Sequence, residues 1–92
     1  MSNCTTLSLG EARVGFRGRI AALDIARAKT DLPGAELERR LIELGLVEGV
    51  EVELLHEGLF GRDPIAVRVA DATIALRRGE ARAVLVALGV PS

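Results

Sequence analysis

The sequence predicts a mainly β domain: a small, strongly bent antiparallel barrel of about five strands with one inserted α-helix. Three observations predict it. A short amphipathic helix ends at Gly45 and runs almost without slack into the alternating segment Gly49 to Leu54. A second alternation puts Ile65, Val67 and Val69 on one face against Ala66, Arg68 and Ala70 on the other. No long crossover separates the strand segments, so parallel pairing has no connection to carry it.

Taken in order, Leu7-Ser8-Leu9-Gly10 begins the ordered part, and Gly15 and Gly18 lead into a first strand from about Gly18 to Ile25. Ile20, Leu23 and Ile25 alternate imperfectly there, which predicts a bulge or early bend. Asp31-Leu32-Pro33-Gly34 reads as helix-opening chemistry, with Asp31 accepting from free amides and Pro33 in the first turn. The helix follows over about Ala35 to Leu44, with Leu37, Leu41 and Leu44 on one face and Glu36, Glu38, Arg39, Arg40 and Glu43 elsewhere. Gly45 fits the left-handed C′ position of a Schellman ending, which brings Leu46 at C″ against Leu41 at C3. In the next strand Val50, Val52 and Leu54 share a face opposite Glu51 and Glu53.

Glu57 to Pro64 reads as a loop, since it holds two glycines and a proline and breaks both periodicities. The strand carrying Ile65, Val67 and Val69 turns at Asp71-Ala72 into Thr73 to Arg77, although Ala72 lacks the freedom that glycine gives a type I′ turn. Arg78 to Arg82 reads as one helical or 3₁₀ turn, and Ala83 to Leu88 is apolar enough for a strand buried on both sides. An SH3-like barrel fits this order and length, with its loops as the variable surface. Residues 7–89 are expected to form the domain, after a flexible segment 1–6.

Composition narrows the function. The chain has 92 residues, 49% hydrophobic and 27% charged, which suits one small domain. No apolar run approaches the roughly 18 residues of a membrane span. Met1 to Thr6 has neither a basic segment nor an apolar stretch behind it, so a cytoplasmic protein without a secretory signal is expected. The single cysteine, Cys4, cannot form an internal disulfide and is expected to be a free, exposed thiol. A formal net charge of −1 removes the general attraction to polyanions, so neither nucleic acid nor an anionic membrane is an expected partner.

The order Leu9, Gly15, Gly18-Arg19-Ile20, Arg40-Leu41, Glu43-Leu44-Gly45-Leu46, Gly49, Val50-Glu51-Val52, Gly61, Asp63-Pro64-Ile65, Ile74-Ala75-Leu76-Arg77, Glu80-Ala81 and Val84-Leu85-Val86 resembles the FeoA domain, the small cytoplasmic component of bacterial ferrous-iron uptake. Its most specific pieces are Arg-Leu-x-Glu-Leu-Gly-Leu before Gly49 and Ile-Ala-Leu-Arg before Glu80-Ala81. The resemblance implies an SH3-like fold and a non-enzymatic role beside FeoB, a permease with a cytoplasmic guanine-nucleotide-binding domain. Glu48, where the family often has proline, and Asp71-Ala72, in place of a glycine-containing turn, depart from the pattern and bear on loop geometry. The same domain ends iron-dependent repressors, but this chain has no room for their winged-helix DNA reader.

The chemistry inventory points the same way. His56 and Cys4 lie in unrelated segments without recognised metal-ligand spacing, so no cofactor or dedicated metal site is expected, and His56 reads as an exposed strand-end residue. No catalytic relay is complete and no GxxxxGK[ST] loop is present. The candidate partner-binding residues are Leu59, Phe60 and Arg62 on the loop, with Arg39 and Arg40 on the outer helix face. Phe60 folding back over the barrel mouth, and Arg39 and Arg40 simply solvated or paired with Glu36, are the structural alternatives. Arg62 also has the reach to act as an arginine finger toward a permease nucleotide.

Three other functions are open. A proline-peptide reader would need an aromatic groove, and the chain has no Trp or Tyr. An RNA-binding role would draw on Arg13, Arg17 and Arg19 or on Arg77, Arg78 and Arg82, against balancing acids and without aromatic stacking groups. Self-association through the C-terminal strand would require that its edge be open.

Overall fold

Helix α1, Gly34–Glu43, ends as its sequence requires. Gly45 takes φ +92°, its N–H donates to the Ile42 carbonyl, and the Leu46 N–H donates to the Leu41 carbonyl at 3.0 Å. These are the two bonds of a Schellman motif, and Leu41 and Leu46 are both fully buried beside it. The other end differs from expectation. Pro33 is the N-cap, its carbonyl accepting from Leu37, and no side chain caps the helix. Asp31 does not bond the free amides; the Thr30 hydroxyl accepts from Leu32 instead, closing a local turn before the proline.

A computed structural model describes residues 6–88, with Phe60 and Leu88 as backbone only. Six strands form one antiparallel sheet, β1 (Thr6–Ser8), β2 (Arg17–Leu23), β3 (Glu51–Phe60), β4 (Asp63–Val69), β5 (Ala72–Leu76) and β6 (Val84–Leu88), in the order β1-β6-β2-β3-β4-β5. The strand beyond the expected five is β1, three residues long and paired in register Leu7 with Val86. A single turn, α2 (Arg78–Ala81), links β5 to β6. The register of β2 against β6 shifts between Ile20 and Ala22, the bulge that the imperfect alternation foretells. Edges β1 and β5 are joined by no ladder among the described residues, so the barrel is left open there.

Leu9, Ile20, Leu37, Leu41, Leu54, Val67 and Val86 meet in one core with at most 2% exposure. Strand β6 lies between β1 and β2. Val84 and Val86 are fully buried, while Leu85 and Ala87 are only half-buried, so one of its two faces is less covered than expected. The β4–β5 turn is Ala70-Asp71, one residue earlier than the sequence suggests: Val69 pairs with Ala72, and Ala70 takes φ 55°. An alanine thus occupies the left-handed position where glycine is favoured.

Candidate functional site

Glu57 to Pro64 is no loop. Strand β3 continues to Phe60, β4 starts at Asp63, and the tip of this hairpin is the two-residue turn Gly61-Arg62, with φ of 70° and 62°. Positive φ at both positions is the twist that a two-residue hairpin needs, so two glycines and a proline here build a hairpin and do not interrupt one. Between the pairs Glu57–Ile65 and Phe60–Asp63, Gly58 and Leu59 face Pro64 alone. This is a bulge, and Pro64 has no N–H to miss in it. A Cβ on Gly58 would collide with the Asp63 carbonyl, so the strands approach there as only glycine allows. Leu59, thrown outward by the same irregularity, is 94% exposed. Arg62 is exposed at the tip; the side chain of Phe60 lies outside what is described.

The tip of the hairpin is fastened by Arg78. Its backbone N–H donates to Asp63 Oδ1 at 2.8 Å and its Nε to the Arg62 carbonyl at 2.8 Å. Nη1 donates to the carbonyls of Gly10 (3.1 Å) and Ala12 (2.9 Å), and Nη2 meets Glu57 Oε1 at 2.8 Å. Arg78 therefore joins α2, through its backbone N–H to β4 and through its guanidinium to β3 and the hairpin turn, with the segment of the 3₁₀ turn Leu9–Glu11 that follows β1. Its planar fork suits several carbonyls and a carboxylate at once. Sequence reasoning grouped Arg78 with possible RNA contacts; with 14% side-chain exposure it is committed within the chain. Only its place after a strand, at the head of a one-turn helix, distinguishes it in sequence.

Arg39 and Arg40 lie exposed on α1, as expected. Arg40 does not pair with Glu36: its Nε lies 3.7 Å from Oε1 of the buried Glu80 in α2. Arg39 and Arg40 border a groove of about 260 Å³ with Leu32, Glu36 and Glu43. Leu32 also borders a larger cavity of about 550 Å³ that reaches Asp63, Arg77 and Glu80. Turn α2 thus stands between the helix and the tip of the hairpin, bonded to both. Ile42, 47% exposed on α1 and one turn from Arg39, is an exposed apolar side chain outside that groove and was missed. Its signal was available, since it falls off the stripe of Leu37, Leu41 and Leu44.

His56 is exposed but sits inside β3, opposite Ala66, and not at a strand end. Cys4 lies outside the described residues. Among the described residues no three His, Cys, Asp or Glu side chains are grouped to hold a metal ion. Of the arginines considered for RNA, Arg82 pairs with Glu11 at 3.0 Å and Arg19 donates to the Gly49 carbonyl at 3.1 Å. Among the described residues no helix is long and apolar enough to cross a membrane.

These features define a small, mainly β, SH3-like domain with an exposed leucine on its β3–β4 hairpin and an arginine-bearing helix face. The model of the FeoA domain matches residues 7–88, and the chain belongs to the FeoA family, a family of accessory domains tied to ferrous-iron transport. The chain is 30% identical to Stenotrophomonas maltophilia FeoA complexed with zinc, described as a procaryotic SH3 domain protein; the match covers 87% of this chain and 88% of that one, with a TM-score of 0.69. It is 28% identical to the FeoA protein from Chlorobium tepidum, over 94% of this chain and 74% of that one, with a TM-score of 0.70. A manganese-dependent transcriptional repressor shares the fold over 95% of this chain and 44% of its own, at 21% identity and a TM-score of 0.73. None of the curated protein sequences matches the chain.

Proposed function

We propose that this protein is a non-enzymatic accessory of bacterial ferrous-iron uptake that works in the cytoplasm by binding the cytoplasmic side of a FeoB-type permease. Leu59 is the observation that carries the reading. A leucine left 94% exposed at a bulge, on a hairpin whose tip is tied by three hydrogen bonds from Arg78, itself anchored on the carbonyls of Gly10 and Ala12, is a pre-positioned apolar anchor. Phe60 and Arg62 on the hairpin, and Arg39 and Arg40 on α1, complete the proposed contact surface. The arginines supply a polar rim that steers toward acidic surface and adds little affinity.

Burying one leucine side chain contributes about 2 kcal/mol, or roughly thirtyfold in dissociation constant. Calorimetric titration of the permease's cytoplasmic domain with the parent protein and with Leu59→Ser therefore tests the reading. The expected result is saturable binding by the parent, weakened roughly thirtyfold in the variant at unchanged thermal stability. Equal affinity of the two would remove the hairpin from the interface, and no binding by the parent would remove the domain as partner. Exposed Arg62 also allows a test of the arginine-finger alternative. Arg62→Ala is expected to leave any stimulation of guanosine triphosphate hydrolysis intact, whereas its loss would favour the finger.

A further inference from the structure

We propose that the outer edge of β5 pairs with the same strand of a second copy of this chain, antiparallel about a two-fold axis through Ile74. Of the two edge strands, β1 is only three residues long, whereas β5 presents five residues from Ala72 to Leu76. Short length protects an edge; so do lysine, proline and inward charge, and Ala72-Thr73-Ile74-Ala75-Leu76 has none of these. Ala72, Thr73 and Ala75 are exposed and Ile74 is half-buried. The principal contacts of β5 are with β4 alone.

Hydrogen-bond parity fits the axis. The two-residue turn Ala70-Asp71 makes Val69–Ala72 a bonded pair of the β4–β5 ladder, and Val67–Ile74 and Ile65–Leu76 follow at every second position. The N–H and C=O groups of Thr73 and Ala75 then point away from β4, and no backbone bond outside the ladder uses them among the described residues. In the two-fold arrangement Thr73 of one copy stands opposite Ala75 of the other and exchanges both bonds with it, twice over by symmetry. Ile74 faces its own copy as the closer, non-bonded pair, which covers its half-exposed side chain.

The flanking charges identify the occupant. Three residues before Ile74 is Asp71 and three after it is Arg77, so the same register sets Asp71 of each copy opposite Arg77 of the other. Both are exposed, and neither is in an ion pair among the described residues. An unrelated strand would meet this edge only by accident with the opposite order of charge; a second copy does so by symmetry. A five-residue edge is a small contact beside standard stable interfaces, which makes the dimer weak and concentration-dependent.

Sedimentation velocity over a dilution series, run on the whole protein, tests this. Asp71→Arg and Arg77→Asp each place like charges opposite one another at both ends and are expected to weaken the dimer about tenfold. An equimolar mixture of the two variants restores opposite charges in the mixed dimer and is expected to associate at least as tightly as the parent. Neither substitution touches the core, and thermal melts of each variant confirm the fold. Amide exchange supplies a second readout: protection of Thr73 and Ala75 rises with protein concentration. A parent that stays monomeric into the millimolar range overturns the proposal. So does a dimer indifferent to both charge changes, or protection of these amides that appears only when a permease domain is added.

Discussion

Replacing Arg78 by Met keeps a side chain of similar length but removes the charge and every side-chain donor, and the loss can be estimated bond by bond. The guanidinium donates to the carbonyls of Arg62, Gly10 and Ala12 and meets the Glu57 carboxylate. Gly10 and Ala12 are buried, and no other hydrogen bond to their carbonyls is found among the described residues. Leaving a buried acceptor without a donor costs about 1–3 kcal/mol each. The Arg62 carbonyl lies at an exposed turn, where water replaces the lost donor, and Glu57, with 30% side-chain exposure, is partly rehydrated. The sum is about 2–6 kcal/mol for Arg78→Met, a large part of the roughly 5–10 kcal/mol expected of so small a domain. Arg78→Lys keeps the charge and one or two of the bonds, and loses about half as much. Urea unfolding of the three proteins measures this directly, since a stability change appears in the midpoint at constant slope. Amide exchange localises it: the hairpin and the segment around Gly10 open first. A loss under about 1 kcal/mol for Arg78→Met would refute the reasoning and mean that water or a neighbouring side chain takes over the two buried carbonyls.

Two substitutions probe the backbone. Gly45→Ala puts a Cβ at φ +92°, with Val69 Cγ1 at 3.4 Å, and is expected to destabilise by about 1–2 kcal/mol, read as a lower urea midpoint. Ala70→Gly relieves the positive φ of the β4–β5 turn at the cost of a looser unfolded chain, and is expected to raise stability by about 0.5 kcal/mol.

The sequence carried most of the fold because its strongest signals are local. The Leu37–Leu41–Leu44 stripe, the Gly45-Leu46 ending and the alternation through Val52 and Leu54 each determine their own neighbourhood, and the structure has them packed on or in the core. The hairpin at Gly61-Arg62 was less legible. Its bulge breaks the two-residue period that marks a strand, and a loop shows the same glycines and proline. Strand β1 was missed because three residues are too few to show a period, and its pairing with β6 comes from a distant part of the chain. At the proposed contact surface, Leu59, Arg62, Arg39 and Arg40 are exposed as expected. The partner of Arg40 was not visible in sequence, since Glu80 lies forty positions away and only folding brings α1 against α2. Arg78 escaped for the same reason, as most of its acceptors are distant carbonyls that have no signature in side-chain pattern.

The measurement that bears most directly on the proposed role is an isotopic-labelling NMR titration of this protein with its permease's cytoplasmic domain, nucleotide-free and nucleotide-bound. Binding through the proposed surface predicts shifts confined to Leu59–Arg62 and to the α1 face around Arg39 and Arg40. Unchanged spectra at high partner concentration, or shifts restricted to the opposite side of the sheet, would contradict it.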